Sequence, residues 1–104
     1  MLSAQFIRRQ SPEPVLVVTG ANSGIGFGLV ERLLEHHAGR KVTIVMACRS
    51  IAKATEARQR LVQSYFPKSQ QEEGFKMLQI VSVDLSHSKS VFKFCAEILL
   101  KYSY

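Results

Sequence analysis

Short, almost continuously apolar runs alternate along the chain with longer stretches that mix apolar and polar residues. The apolar runs are residues 15–19, 41–47 and 77–83. Their β-branched residues and lack of alternation are typical of strands buried on both faces of a parallel sheet. In the mixed stretches apolar residues recur every three or four positions, which predicts helices. The pattern therefore predicts the order β-α-β-α-β-α.

Residues that start or stop helices mark the ends of the mixed stretches. The first predicted helix runs from Gly24 to about residue 38, and the second is capped by Ser50 and ends near Tyr65. Ser86 is predicted to cap the third helix, and the polar stretch 68–74 is predicted to be a surface loop. The apolar stripe of the third helix consists of Val91, Phe94, Cys95, Ile98, Leu99 and Tyr102. We therefore expect the cysteine in this stripe to be a core residue.

Alternating strands and helices favour a single α/β architecture. Parallel strands joined by right-handed helical crossovers predict the strand order 3-2-1. This is one mononucleotide-binding half of a doubly wound (Rossmann) sheet. Residues 14–104 are predicted to form this part of a domain, and residues 1–13 a flexible N-terminal lead-in. A mitochondrial presequence is the alternative interpretation of that N-terminal arm.

Composition narrows the functional classes. The 104 residues are 46% apolar, which argues against disorder. No apolar run approaches the roughly 18 residues that span a bilayer. The net charge is +6, but the basic residues are scattered and not interleaved with aromatic residues, which argues against a nucleic-acid partner. Cys48 and Cys95 lie far apart, so no metal site is predicted.

A glycine-rich segment, TGANSGIG at residues 19–26, lies between the first strand and the first helix. Gly20 is predicted to permit a sharp exit from the strand where a side chain would clash, and Gly24 to let the backbone approach a pyrophosphate. Gly26 is predicted to let the helix pack tightly against the sheet. The free N–H groups and the positive dipole end of the helix suit phosphate groups. A tight turn without a ligand is the alternative, but three glycines exceed what such a turn needs.

The glycine spacing, G-x-x-x-G-x-G, differs from that of the Walker loop, and no lysine follows Gly26. It resembles the cofactor signature of the short-chain dehydrogenase/reductase family, T-G-x-x-x-G-I-G, which residues 19–26 match position for position. The resemblance covers about residues 14–104. It implies a Rossmann fold, a nicotinamide dinucleotide cofactor and oxidoreductase activity. A different α/β nucleotide binder, such as a methyltransferase, is the competing hypothesis.

The end of the second strand indicates which dinucleotide fits. NAD-binding folds usually place Asp or Glu there to bind the ribose 2′-OH, whereas this chain has Arg49 and Ser50, with Lys53 one turn later. A guanidinium suits a 2′-phosphate, so NADP(H) is the predicted cofactor, although a solvated arginine is the alternative. By resemblance, Asp84 accepts from the adenine amino group and Leu85 packs beside the ring; a helix-initiating aspartate is the alternative. The predicted cofactor-binding residues are Gly20, Asn22, Ser23, Gly24, Ile25, Gly26, Arg49, Ser50, Asp84 and Leu85.

The catalytic groups that the resemblance implies are absent from the chain. In the family, an N-A-G segment, a serine and a Tyr-x-x-x-Lys pair follow the fourth strand, and the tyrosine donates the proton. Tyr65 and Lys68 have a spacing one residue short and follow the second helix, so we reject them as that pair. No catalytic residue is predicted. The chain is expected to be a truncated N-terminal part, inactive alone, with an exposed apolar edge at residues 15–18.

Three segments, residues 46–54, 79–86 and 90–94, are similar to the 3-keto-steroid (sterol) reductase branch of the family. That branch reduces a sterol 3-ketone with NADPH in sterol biosynthesis, which implies a cytoplasmic location with association with the endoplasmic reticulum membrane. A sterol or other ketone would be the substrate only of a longer homologue. Two alternatives stay open: a non-catalytic nucleotide-binding or partner-binding module, and a reductase of another carbonyl substrate.

Overall fold

The computed structural model describes residues 14–37 and 41–102. Its three strands are β1 (Val15–Thr19), β2 (Thr43–Cys48) and β3 (Leu78–Ser82), and all pairings are parallel. The order β1-β2-β3 confirms the predicted 3-2-1 arrangement. The predicted lead-in at 1–13 and the predicted end of the first helix at residue 38 lie outside the described residues.

Four α-helices accompany the sheet in the described part of the chain. They are α1 (Gly24–His36), α2 (Ile51–Tyr65), α3 (Gln71–Met77) and α4 (Ser88–Tyr102), and a 3₁₀ turn at Lys68–Gln70 precedes α3. Helices α1, α2 and α4 correspond to the three helices that the periodicity predicts, and α1 and α2 lie in the connections between neighbouring strands. Helix α3 has no counterpart in the prediction.

The predicted surface loop at 68–74 is wrong, because this stretch forms the 3₁₀ turn and most of α3. Gly74 is buried, and a Cβ there would lie 2.8 Å from the ring of Phe66. The guanidinium of Arg58 lies 5.5 Å from the centroid of the Phe75 ring. These contacts with α2 and its C-cap stabilise a helix that carries too little apolar periodicity to be recognised from the sequence.

The core lies on the face of the sheet that α1 and α2 cover. Alternate strand residues such as Ile44 and Met46 point into it, because side chains along a strand alternate between the two faces. The helical residues buried there are Val30, Leu34, Ala54, Ala57, Leu61 and Val62. Ile25 and Ile51, which are also apolar residues of α1 and α2, are instead 93% and 57% exposed. Both lie in the first turn of their helices.

Helix α4 contributes nothing to this core cluster, since none of its residues is buried. The prediction that Cys95 is a core residue is therefore wrong, because its side chain is exposed. Leu99 is also exposed, and the rest of the predicted stripe is only half-buried. At the edge of the sheet that β1 forms, Val17 is 42% exposed, as expected for an edge strand without a further neighbour among the described residues.

The two predicted serine caps have different outcomes. Ser50 is the N-cap of α2, and its Oγ accepts a hydrogen bond of 3.2 Å from the N–H of Lys53. The prediction for Ser86 is wrong, because α4 begins two residues later, at Ser88. The hydroxyl of Ser86 donates to the carboxylate of Asp84 instead of accepting from the helix.

Replacing Ser50 by alanine is expected to lower the free energy of unfolding by about 1 kcal/mol, because the N–H of Lys53 loses its acceptor. The measurement is urea unfolding followed by circular dichroism. Ser50→Thr keeps a capping oxygen and should recover most of the loss. Ser64→Ala, at an exposed position near the other end of α2, is the control. An equal loss in both alanine variants would contradict the capping role.

Candidate functional site

A cleft of about 370 Å³ opens where β1, β2 and β3 end. The carboxyl edge of a parallel sheet is where α/β proteins commonly bind ligands. Five predicted cofactor-binding residues line the cleft together: Gly20, Asn22, Arg49, Asp84 and Leu85. Four further lining residues were not predicted, and these are Ala47, Cys48, Val83 and Ser86.

The exit from β1 depends on the backbone conformation of Gly20. Its φ is +62°, in the left-handed region that favours glycine. Its N–H donates to the carbonyl of Ala47 at 2.8 Å, which extends the ladder between β1 and β2 by one bond. The predicted side-chain clash is wrong, because a Cβ at Gly20 would meet no atom within 4 Å. The conformation, and not the available space, requires glycine here.

At Gly26, by contrast, glycine is required because there is no space for a side chain. A Cβ at this position would overlap the carbonyl group of Gly20 and would lie 3.0 Å from the carbonyl oxygen of Thr19. The first turn of α1 therefore packs directly on the backbone of the strand exit. This confirms the predicted close packing at Gly26 and brings the start of α1 to the rim of the cleft.

The N-terminus of α1 offers backbone donors. Ser23 is the N-cap in an extended conformation, and its side chain makes no capping hydrogen bond. The N–H groups of Gly24, Ile25 and Gly26 belong to the first turn, where no intrahelical acceptor exists. Together with the positive end of the helix dipole, these groups suit an anionic ligand. Gly24 has φ +58°, so glycine is required there as well.

Arg49 follows β2 directly and lines the cleft with an exposed side chain. The adjacent Ser50 caps α2 and is not among the lining residues. Lys53 is exposed in the first turn of α2. The segment 49–53, which leaves the carboxyl end of β2, therefore carries cations and no carboxylate.

Asp84, which also lines the cleft, is held by several hydrogen bonds. Its Oδ1 accepts from the hydroxyl of Ser86 at 2.6 Å and from the N–H of Ser86 at 3.0 Å. Its Oδ2 lies 3.5 Å from Nε2 of His87. The hydrogen bonds from Ser86 lower the pKa of Asp84 below its usual value, with smaller contributions from the nearby His87 and Arg49. Asp84 is therefore an ionised acceptor at neutral pH.

We expect the charge of Asp84 to stabilise the folded chain in a pH-dependent way. Its folded-state pKa is lowered, so the contribution is present above the unfolded-state pKa of about 3.9 and is lost as the pH falls through the folded value. Asp84→Asn should therefore lower the urea midpoint at pH 7, and the difference from wild type should shrink as the pH is lowered from 7 to 2.

The matched control for this titration is Glu56→Gln, which removes an equal charge from an exposed position of α2. It should leave the urea midpoint unchanged at both pH values. A difference between Asp84→Asn and wild type that stays constant from pH 7 to pH 2 would show that the charge of Asp84 contributes nothing.

Sequence reasoning missed Cys48 because a single cysteine in an apolar run is typical of a strand. The structure places it at the end of β2, 2% exposed, beneath the glycine-rich segment. Burial raises the pKa of the Cys48 thiol, and hydrogen bonds from the backbone of Ala21 and Asn22 oppose this effect. Ser86 was missed because it was interpreted as a helix cap. Its position two residues after Asp84 was the available signal.

Two kinds of site are not found in the described ranges, 14–37 and 41–102. No group of three or more His, Cys, Asp or Glu side chains could hold a metal ion. No helix in these ranges is both long enough and apolar enough to cross a membrane.

Several curated proteins have related sequences, and two of them show the range. The 3-keto-steroid reductase erg27 of Schizosaccharomyces pombe is 37% identical, over 72% of this chain and 22% of its own length. The WW domain-containing oxidoreductase of Pongo abelii is 35% identical, over 77% of this chain and 16% of its own length. No family model matches the chain.

Solved structures have the same fold. Menthone neomenthol reductase from Mentha piperita superposes with a TM-score of 0.70 at 27% identity, over 88% of this chain and 28% of that one. A metagenomic short-chain oxidoreductase in complex with NADP superposes with a TM-score of 0.63 at 24% identity, over 86% of this chain and 34% of that one. The chain belongs to the short-chain dehydrogenase/reductase family.

This short-chain dehydrogenase/reductase chain spans about a fifth of the length of the curated relatives that it matches. The relatives' substrates and activities belong to much longer proteins.

Proposed function

We propose that this chain binds NADP(H) as the cofactor-binding part of an oxidoreductase. The observation that carries the proposal is the pairing of two features in one cleft. The glycine-rich segment leads into the free N-terminus of α1, and Arg49 stands at the end of β2 where NAD-binding folds place a carboxylate.

The donor groups fit the anionic parts of the cofactor. The N–H groups of 24–26, with the Ser23 hydroxyl, would bind the pyrophosphate, and the φ values of Gly20 and Gly24 shape this segment. Arg49 would hold the 2′-phosphate, with Ser50 and Lys53 beside it. When bound, the cofactor supplies hydride chemistry, while these side chains only bind and orient it.

The residues that follow β3 fit the adenine ring. The ionised carboxylate of Asp84 would accept from the adenine amino group, and Leu85, which is 61% exposed, would cover the ring. Both side chains line the same cleft as Arg49. We infer that residues 14–104 form the N-terminal part of an NADP-binding Rossmann domain.

For a longer homologue we propose hydride transfer from NADPH to a ketone, with a sterol 3-ketone as the favoured substrate. The support is the relationship to the 3-keto-steroid reductase. The name of the WW domain-containing oxidoreductase specifies no substrate, and a reductase of another carbonyl substrate is the alternative. Cytoplasmic action at the endoplasmic reticulum membrane is part of the sterol hypothesis. The chain carries no Tyr-x-x-x-Lys pair, so we expect it to bind nucleotide without catalysis.

A titration of the purified chain with 2′,5′-ADP, 5′-AMP and S-adenosylmethionine tests the binding proposal, with heat and amide chemical shifts as readouts. We expect 2′,5′-ADP to bind most tightly and to shift the amides of 20–26, Arg49 and Asp84. Equal affinity for 2′,5′-ADP and 5′-AMP would contradict the choice of NADP, and preference for S-adenosylmethionine would favour a methyltransferase.

Turnover measurements separate the enzyme from the binding module. We expect the chain alone not to oxidise NADPH in the presence of a sterol 3-ketone, because no proton donor of the family's type is present. A full-length homologue cut after the position equivalent to Tyr104 should lose its activity in the same assay. Turnover by this chain or by the shortened homologue would contradict the proposed inactivity.

A further inference from the structure

The residues after β3 form a compact network around Asp84. The backbone N–H of Asp84 donates to Oγ of Ser90, in the first turn of α4, at 2.8 Å. Ser86 donates both its hydroxyl and its N–H to one carboxylate oxygen, Oδ1. The carbonyl of Asp84 accepts from the N–H of His87 at 3.1 Å. The backbone and one side-chain oxygen of Asp84 are therefore held by its own neighbours.

This network leaves the two carboxylate oxygens in different states. Oδ1 receives two hydrogen bonds from Ser86, which occupy its two lone pairs. Among the described residues, the imidazole of His87 lies 3.5 Å from Oδ2, which is longer than an ordinary hydrogen bond. The Asp84 side chain is 28% exposed and lines the cleft. Oδ2 is consequently the oxygen with acceptor capacity for a ligand.

We propose that Ser86 is a positioning residue that fixes the Asp84 carboxylate so that Oδ2 distinguishes an amino group from a carbonyl group on the nucleotide base. The proposal rests on the proposed NADP(H) function. An ionised carboxylate accepts from the exocyclic amine of adenine, whereas it repels the carbonyl oxygen that hypoxanthine carries at the same ring position. Discrimination requires a fixed carboxylate, because one that rotates freely turns away from the carbonyl and relieves the repulsion.

The groups that face the carboxylate decide the conditions of the test. In the described part of the chain, His87 and Arg49 are the charged or titratable side chains near Asp84. A protonated imidazole at 3.5 Å would compete with the base for Oδ2. All variants are therefore compared at a single pH, pH 8, so that His87 has the same effect in each of them. Arg49 is left unchanged in these variants, so its effect is the same in each of them.

The experiment compares the dissociation constants of NADP⁺ and its hypoxanthine analogue, deamino-NADP⁺, for the purified chain at pH 8. Wild type should prefer NADP⁺ by about tenfold or more, as expected when a buried or fixed polar group meets the wrong partner. Ser86→Ala should reduce this preference to about threefold or less. The preference for 2′,5′-ADP over 5′-AMP, which depends on Arg49, should stay unchanged.

Two further variants isolate the hydroxyl. Ser86→Thr keeps it and should restore the preference for NADP⁺. Ser88→Ala removes an exposed hydroxyl at the start of α4 and should match wild type. Melting curves show whether each variant folds. If Ser86→Ala does not fold, Ser86→Gly removes the same hydroxyl and replaces it in the experiment.

The outcomes separate the two proposals. An unchanged preference in the folded Ser86→Ala and Ser86→Gly variants would overturn the positioning role while leaving NADP(H) binding intact. Equal weakening of NADP⁺ and deamino-NADP⁺ would also overturn it, since that result describes a general structural effect. Failure of wild type to bind either dinucleotide would overturn the proposed function and this inference together.

Discussion

Gly26→Ala is expected to destabilise the chain by about 2 to 3 kcal/mol and to abolish nucleotide binding. The added Cβ would overlap the carbonyl group of Gly20, which is backbone and cannot move aside like a flexible side chain. Overpacking of this kind costs about 1 to 3 kcal/mol, and backbone contacts belong to the upper part of that range. Urea unfolding gives the free energy, and calorimetry with 2′,5′-ADP gives the affinity.

The matched control is Gly28→Ala, which makes the same substitution further along the same helix. A Cβ at Gly28 would meet no atom within 4 Å, and the residue lies inside α1. This variant should therefore stabilise the chain by about 0.5 to 1 kcal/mol, because alanine favours a helix over glycine. If Gly26→Ala instead behaved like Gly28→Ala, the close approach of α1 to the strand exit would be disproved.

Arg49→Ala is expected to weaken the binding of 2′,5′-ADP by roughly 10- to 100-fold. A hydrogen bond to a charged group contributes about 1.5 to 3 kcal/mol, and each 1.4 kcal/mol corresponds to about a tenfold change. The affinity for 5′-AMP should change little, because this ligand lacks the 2′-phosphate. The ratio of the two dissociation constants, measured by calorimetry, is the readout.

Two variants accompany the Arg49 test. Arg32→Ala removes an arginine from the exposed face of α1, where it pairs with Glu35, and should leave the ratio unchanged. Arg49→Asp places a carboxylate at the end of β2 and should reverse the preference in favour of 5′-AMP. Equal losses for Arg49→Ala and Arg32→Ala would mean that net charge, and not the position of Arg49, attracts the nucleotide.

The strands were predictable because a parallel strand that is buried on both faces has a continuous apolar sequence, without alternating polar residues. All residues of β2 from Ile44 to Cys48 are buried, as their continuous apolar run implies. The glycine-rich segment was predictable for a related reason, since backbone geometry at Gly20 and Gly24 allows few other residues. Predictions failed where a residue's state depends on its neighbours in space, as for Cys95 and the stretch 68–74.

Ser86 is an example, within the candidate site, of a residue whose role depends on its neighbours in space. A serine before a helical stretch has two uses for its hydroxyl, as a helix cap or as a donor to a nearby side chain. The sequence pattern cannot rank them, because the choice depends on where the Asp84 carboxylate lies when α4 starts at Ser88. The structure shows the donor role, and the inference about base recognition follows from it.

By itself, the sequence determined the alternation of strands and helices, the strand order and the cofactor signature at residues 19–26. These features depend on local periodicity and on the conformational limits of single residues, and both can be read directly from the sequence. Only the tertiary structure decided that Arg49 and Asp84 line one cleft, that α3 is a helix, and that Ser86 holds a carboxylate. Such features depend on which segments the fold brings into contact. A local sequence pattern gives no information about the energies of those contacts.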